Sequence, residues 1–122
     1  MADIAQVVRR VLVVEDEYYT ADDIARELER RGVEVLGPAP TLKEAIDIAK
    51  RAERIDAAVL DINLCGERSL PVAEILAARK VPFVFSTGYD EFVVPEAFRH
   101  IPRWQKPFSP SQLTTALMQL MG

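Results

Sequence analysis

The chain has 122 residues, of which 49% are hydrophobic and 28% charged, and this composition suits one ordinary globular domain with one core. Its 19 acidic residues outnumber the 15 basic ones and give a net charge of −4, which favours neither a nucleic acid nor an anionic membrane as partner. We expect no signal peptide and no membrane span, and the single cysteine predicts a reduced, cytoplasmic setting.

The first strand is predicted at Arg10–Val14, a β-branched apolar run that is typical of a central strand covered on both faces. Three consecutive acids follow it, at positions 15–17. Apolar residues then recur at helical spacing from Tyr18 to Arg31 and predict the first helix. Gly32 stands where a helix commonly ends.

A second, weaker strand is predicted at residues 33–37, and we expect Pro38 and Pro40 to break it. The next helix begins with a capping box, in which the Thr41 hydroxyl and the Glu44 carboxylate satisfy free backbone amides. Apolar residues on one face of the following ten positions continue this helix.

The third strand is a short apolar run that ends in Asp61. The residues after it are polar and turn-forming, so Asp61 is expected at a boundary between strand and loop. A third helix is predicted from Ser69 to about Arg79, with Pro71 tolerated in its first turn.

The fourth strand is predicted at residues 81–85 and leads to Ser86, Thr87 and Gly88. Residues 89–99 contain apolar side chains around a proline without a clean cap, which predicts a short or distorted helix.

A fifth strand is predicted at residues 101–105, followed directly by Lys106. The last helix begins well, with Ser109 as the cap, Pro110 at its first position and Gln112 at its third.

Five strands that alternate with helices predict an α/β fold, a doubly wound five-stranded parallel sheet with helices on both faces. For five strands the usual order is 2-1-3-4-5, the flavodoxin-like arrangement. We expect one domain over residues 1–122, with an ordered core at about 8–121 and no output domain.

Acidic residues follow the first and third strands, which are neighbours in this order. Glu15, Asp16 and Asp61 should therefore converge, and they would repel one another unless a cation joins them. Oxygen ligands with room for water favour Mg²⁺. Taken singly, Asp61 is as well explained as a capping residue, and Glu15 and Asp16 as solvated acids near a helix N-terminus.

The fourth and fifth strands add a hydroxyl, Thr87, and an ammonium group, Lys106, at the same edge. A divalent ion, a reactive carboxylate, a hydroxyl donor and a cation together are typical of a phosphoryl site.

These motifs resemble the receiver domain of bacterial two-component response regulators, over essentially the whole chain. The segments that carry the resemblance are residues 11–17, 59–63, 86–88 and 106–108. The resemblance implies that Asp61 accepts a phosphoryl group from a phosphohistidine of a sensor histidine kinase or a histidine phosphotransferase. It also implies a magnesium site at Glu15, Asp16, Asp61 and the main-chain carbonyl of Asn63, with Mn²⁺ as a substitute.

In the same family the residue at Thr87 is the switch that follows the phosphoryl group, and the residue at Lys106 pairs with that group. The resemblance further implies a cis peptide bond between Lys106 and Pro107. Such a domain is not an enzyme, except that it catalyses its own phosphotransfer and dephosphorylation.

The Pro82–Tyr89 segment, together with residues 105–108, more narrowly resembles a stand-alone subgroup with a Phe-x-Thr-Gly-Tyr signature, which is associated with kinases of the HWE or HisKA2 type. Arg103 departs from the family pattern, which has an aromatic residue there, and alternation sends Trp104 to the opposite face. Tyr89 either restricts water at the phosphoryl group or packs as a plain loop aromatic.

The expected output is phosphorylation-dependent binding to an unknown downstream protein, or a role as phosphate relay or sink. Residues 92–98 are predicted to form a low-stability element that phosphorylation would shift, or else to pack as plain core, which is what we expect for Phe98. His100 is neither a metal ligand nor a phosphodonor, and Cys65 is expected to be inert.

Three other classes of protein share parts of this pattern. The first is a pseudo-receiver adaptor that binds partners without phosphorylation. A phosphatase would need a second acid where Asn63 stands, and a flavin-binding module would need a glycine-rich phosphate loop after the first strand, where this chain has acids.

Overall fold

The fold is a parallel five-stranded sheet with helices on both faces, and the computed structural model describes residues 7–88 and 94–122. The strands in this part of the chain are β1 (Arg10–Val14), β2 (Glu34–Ala39), β3 (Ala57–Asp61), β4 (Asn63–Leu64), β5 (Glu67–Arg68), β6 (Phe83–Thr87) and β7 (Arg103–Gln105). The helices are α1 (Tyr18–Arg30), α2 (Leu42–Arg51), α3 (Leu70–Ala78) and α4 (Pro110–Met121), and Glu96–Phe98 form a 3₁₀ turn.

The order of the main sheet is β2-β1-β3-β6-β7, with every neighbouring pair parallel. In terms of the five predicted strands this is the order 2-1-3-4-5, so the predicted fold is confirmed. Strands β1 and β3 are adjacent, which brings the loops that follow them together at one edge of the sheet.

The core has two layers because the central strands are buried on both faces. Leu12, Leu60 and Phe85 pack on one face, under α2 and α3. Val13 and Val59 pack on the other face, under α1 and α4. Successive residues of each strand therefore serve opposite layers, and this alternation decides which side chains meet at the strand ends.

The prediction that Pro38 ends the second strand is wrong, because β2 continues through it to Ala39. Ala39 pairs with Val14, and its carbonyl accepts a hydrogen bond of 3.0 Å from the Glu15 N–H. β2 is an edge strand, and proline is tolerated at an edge because its missing N–H leaves only an outward position unpaired.

Three other predictions about elements need correction. The polar segment after Asp61 was predicted as a loop and instead forms the small β4–β5 hairpin. The two last strands of the sheet begin two residues later than predicted, at Phe83 and Arg103. In the predicted distorted helix, residues 89–93 lie outside the described part, and the remainder is the single 3₁₀ turn with Phe98 buried in the core.

Helices α2 and α4 begin where the capping residues predict. The Thr41 hydroxyl accepts a hydrogen bond of 3.2 Å from the Glu44 N–H, and the Ser109 hydroxyl accepts one of 3.1 Å from the Gln112 N–H. Among the described residues, no helix has the length and apolar character to cross a membrane.

Gly37 is required by the shape of β2, and we expect Gly37→Ala to lower the free energy of unfolding by at least about 2 kcal/mol. Its φ is +94°, and a Cβ there would lie 2.7 Å from the Ala39 nitrogen and 2.9 Å from the Val13 oxygen. Denaturant unfolding measures the change.

The matched control is Gly66→Ala. Gly66 has a similar φ of +88° but open space around its Cβ position, so only the conformational cost of about 1 kcal/mol is expected there. Equal losses in the two variants would show that close contact at Gly37 contributes nothing.

Candidate functional site

Three carboxylates converge at the carboxyl ends of β1 and β3. One oxygen from each of Glu15, Asp16 and Asp61 lies within 4.8 Å of the others. The register explains the meeting, because Val14 is paired with Leu60 and the next residues of both strands follow at the same level. Glu15 is 2% exposed and Asp61 4% exposed, while Asp16 is half-buried.

Lys106 joins two of these carboxylates. Its Nζ lies 2.9 Å from Glu15 Oε2 and 2.9 Å from Asp61 Oδ2, whereas Glu17 is farther away, at 3.9 Å. Lys106 follows β7, and its main-chain N–H donates a hydrogen bond of 2.8 Å to the Thr87 carbonyl. The backbone of Lys106 therefore lies beside the end of β6. The peptide bond between Lys106 and Pro107 is cis, as the family resemblance implies.

The carboxyl groups of Glu15 and Asp61 are hard to ionise at this site. Burial raises the pKa of Glu15 to about 7, and the Asp61 charge adds to that effect, although the hydrogen bond from Lys106 opposes it. Burial also raises the pKa of Asp61, again against the pull of Lys106. Burial alone would lower the pKa of Lys106, but its hydrogen bonds to Glu15 and Asp61 raise it. The ammonium group therefore stays charged and partly offsets the repulsion between the acids.

The donor set fits a hard divalent cation. Glu15 Oε1 is buried and has no hydrogen-bond partner among residues 7–88 and 94–122. The other carboxylates have main-chain partners, since Asp16 Oδ2 accepts from the Cys65 N–H at 2.8 Å and Asp61 Oδ1 accepts from the Asn63 N–H at 3.1 Å. An orphaned buried oxygen next to two more carboxylates has the chemistry that Mg²⁺ prefers.

Thr87 lies at the same edge, but its hydroxyl is bonded to its own loop. Its Oγ1 is 3.3 Å from the Gly88 carbonyl, and the side chain is half-buried. The sequence therefore predicts the edge on which Thr87 stands, whereas the hydroxyl contacts neither the acids nor Lys106 in the described structure.

Arg103 and Tyr89 are the residues proposed to modulate the site. Arg103 is exposed and paired in register with Phe85. Trp104 packs instead on the face of α1 and α4, with its ring 6.4 Å from that of Phe108, as strand alternation predicts. Tyr89 lies outside the described residues.

Two features of the site were missed by the sequence reasoning. The Cys65 N–H, at the tip of the unpredicted hairpin, anchors Asp16. Ser86 is fully buried on the strand between β3 and β7, and its hydroxyl has no partner in the part of the chain that the structure describes. A polar residue inside an otherwise apolar strand was the available signal for Ser86.

Known proteins resemble the chain in sequence and in structure, although no protein-family model matches it. The chain is 32% identical over 120 residues to the phyllosphere-induced regulator PhyR of Methylorubrum extorquens, a match over 96% of this chain and 45% of that protein. The chain spans about half the length of the curated relatives it matches, from 45% to 57%.

The solution structure of SdrG from Sphingomonas melonis is 40% identical, with a TM-score of 0.80, and the match covers 94% of this chain and 98% of that one. A CheY-like response regulator receiver domain from Methanospirillum hungatei is 22% identical and has a TM-score of 0.82, with 94% of each chain covered. At 22% identity, the likeness to the Methanospirillum hungatei domain concerns the fold alone.

Proposed function

The chain belongs to the receiver domains of two-component response regulators, and from this premise we propose that it is a phosphoacceptor whose reactive group is the Asp61 carboxylate. The observation that supports the proposal is the buried cluster itself: Asp61 at a strand end, within 4.8 Å of two other acids and 2.9 Å from Lys106. Such an arrangement is costly for the fold when nothing binds to it.

The reaction is transfer of one phosphoryl group. An Asp61 carboxylate oxygen attacks phosphorus, and the bond from phosphorus to the donor's histidine nitrogen breaks. The imidazole leaves with the electron pair, and an acyl phosphate remains on Asp61. The Lys106 ammonium neutralises phosphoryl oxygens, and the Thr87 hydroxyl, at the end of the strand next to that of Asp61, is the donor that would turn towards them.

Glu15, Asp16 and Asp61, with the main-chain carbonyl of Asn63, would hold Mg²⁺, or Mn²⁺ in its place. When bound, the ion supplies positive charge to the phosphoryl oxygens. The ends of β1 and β3 hold the three carboxylates together, and Glu15 is almost fully buried, which excludes water from it.

The partners follow from this chemistry. The donor is a sensor histidine kinase or a histidine phosphotransferase, and the Phe-x-Thr-Gly-Tyr signature favours a kinase of the HWE or HisKA2 type. The output is binding to a downstream protein, or a phosphate relay. Arg103 in place of the usual aromatic residue indicates that the switch at Thr87 is read differently here, and Tyr89 is the candidate residue for that role.

The test is incubation of the purified chain with acetyl phosphate, once with Mg²⁺ and once with EDTA, followed by intact-protein mass spectrometry. We expect one added phosphoryl group per chain with Mg²⁺, removable by hydroxylamine, and none with EDTA. A chain that gains no mass with acetyl phosphate or with a phosphorylated kinase is an adaptor that works without phosphorylation.

A further inference from the structure

Ser86 has a place in the site that the phosphoacceptor function leaves unexplained. It is paired in register with Asp61 on one side and with Trp104 on the other. Partners on adjacent parallel strands share a face, and Trp104 belongs to the layer under α1 and α4. Ser86 therefore stands on the same face as Asp61, one strand away from it.

The Lys106 side chain has to cross this strand. The order of these strands in the sheet is β1-β3-β6-β7. Lys106 follows β7, whereas the two carboxylates that it contacts stand at the ends of β1 and β3. Its stem therefore passes over the end of β6, on the face that Ser86 occupies. Thr87 is the next residue of β6, so its side chain belongs to the opposite face of the sheet, and its hydroxyl is bonded to the Gly88 carbonyl.

The Ser86 hydroxyl lacks a partner where one is expected. The residue is 0% exposed, and within residues 7–88 and 94–122 its Oγ makes no hydrogen bond. Its main chain is already fixed, since the Ser86 carbonyl accepts from the Ile62 N–H at 3.0 Å. A buried hydroxyl without a partner is destabilising, so this group has a hydrogen bond to gain in another state of the site.

Lys106 can supply that hydrogen bond. An ammonium group has three donors, and here two of them point to Glu15 and Asp61. A cation at the carboxylates would take one or both of these oxygens away from Lys106, and a phosphoryl group on Asp61 would become its new acceptor, so the contacts of the ammonium are rearranged in the loaded site. By strand order and face, the Ser86 hydroxyl is a neutral acceptor on the side of β6 that the Lys106 stem crosses.

We propose that Ser86 is a positioning residue: in the loaded site its hydroxyl accepts a hydrogen bond from Lys106 and holds the ammonium against the phosphoryl group. The proposal rests on the phosphoacceptor function of Asp61. It gives the buried hydroxyl a partner, and it gives the ammonium a second contact beside the phosphoryl oxygens.

The experiment compares wild type with Ser86→Ala, which removes the hydroxyl, and Ser86→Thr, which retains it. Ser69→Ala is the matched control, because the Ser69 hydroxyl is equally buried and unpartnered but lies at the start of α3. The first readout is ¹⁵N NMR of the Lys106 ammonium with Mg²⁺ and beryllofluoride as the phosphoryl substitute. A Lys106→Met spectrum identifies the signal.

In Ser86→Ala we expect the ammonium protons of the loaded site to exchange with water several times faster than in wild type. Transfer from acetyl phosphate should slow about tenfold, the lower end of the effect of one hydrogen bond that involves a charged group. The unloaded variant should unfold at the same temperature as wild type or a higher one. Ser86→Thr should restore both loaded-state readouts, and Ser69→Ala should change neither.

Unchanged ammonium exchange in Ser86→Ala would overturn the proposal, and so would slower transfer without any change at Lys106, which would point to a direct contact with phosphate. These outcomes leave the proposed function intact as long as wild type takes up phosphate. If wild type takes up none and binds no beryllofluoride, both proposals fall.

Discussion

Asp61→Asn is expected to take up no phosphate from acetyl phosphate and Mg²⁺, and at the same time to unfold at a higher temperature than wild type. The amide oxygen of asparagine can replace one of the two Asp61 oxygens, either Oδ1, which accepts from the Asn63 N–H at 3.1 Å, or Oδ2, which accepts from Lys106 at 2.9 Å, and the amide NH2 group takes the place of the other. The amide carries no negative charge and does not attack phosphorus. The chemical function is therefore lost without loss of the fold.

The gain in stability follows from the charges. Two carboxylates that are 2% and 4% exposed share one ammonium group, and burial raises the pKa of both. Removing one of them leaves a single buried pair. We expect the free energy of unfolding to rise by about 1 kcal/mol at pH 7.5 without Mg²⁺. Thermal unfolding in EDTA measures it.

The matched control is Asp22→Asn. Asp22 lies on α1 at the same end of the molecule, but its carboxylate pairs with Arg26 at 2.8 Å, outside the cluster. This variant should take up phosphate like wild type. Phosphate on Asp61→Asn would place the phosphoacceptor at another residue, and lower stability would mean that the pair with Lys106 outweighs the repulsion between the acids.

Most of the fold could be predicted because local patterns and global topology agree in this chain. The apolar runs at β1 and β3 are typical of central strands, and their alternation with helices then predicts a parallel sheet in the usual order. The path of β2 through Pro38 could not be predicted, because whether a strand tolerates proline depends on whether it lies at an edge.

The convergence of the acids could also be predicted, because strand order alone brings Glu15, Asp16 and Asp61 to one edge. The direction in which each side chain points could not be predicted. Thr87 is at the predicted edge with its hydroxyl bonded to the Gly88 carbonyl, since rotamer choice depends on what occupies the site. Ser86 was overlooked because its importance comes from the path of Lys106 across β6, a three-dimensional relation without a sequence pattern.

Lys106→Met is expected to lower the free energy of unfolding by about 3 kcal/mol at pH 8 in the absence of Mg²⁺. Methionine keeps an apolar stem of similar length, so the packing over β6 changes little. The ammonium group, which is 2.9 Å from both Glu15 and Asp61, is lost, and two nearly buried anions are left without their cation. Denaturant unfolding with EDTA measures the loss.

The loss should be much smaller at pH 5. Burial raises the pKa of Glu15 from its usual 4.5 to about 7, so this group binds its proton more tightly in the folded protein than in the unfolded chain. The contribution of this tighter proton binding to the free energy of unfolding is complete below pH 4.5 and disappears as the pH rises through about 7. Asp61, whose pKa is also raised, acts in the same direction. Protonated acids need no ammonium partner, and Lys106→Met then costs little.

The double variant Glu15→Gln/Lys106→Met separates charge from packing. With one anion removed, the cost of losing Lys106 at pH 8 should fall well below that in the single variant, and the difference is the coupling energy of the pair. Mg²⁺ should stabilise Lys106→Met more than wild type, because in wild type the ammonium already occupies the carboxylate oxygens. An equal loss at pH 5 and pH 8, unaffected by Glu15→Gln, would mean that Lys106 stabilises the fold through its stem and that the acids tolerate one another without it.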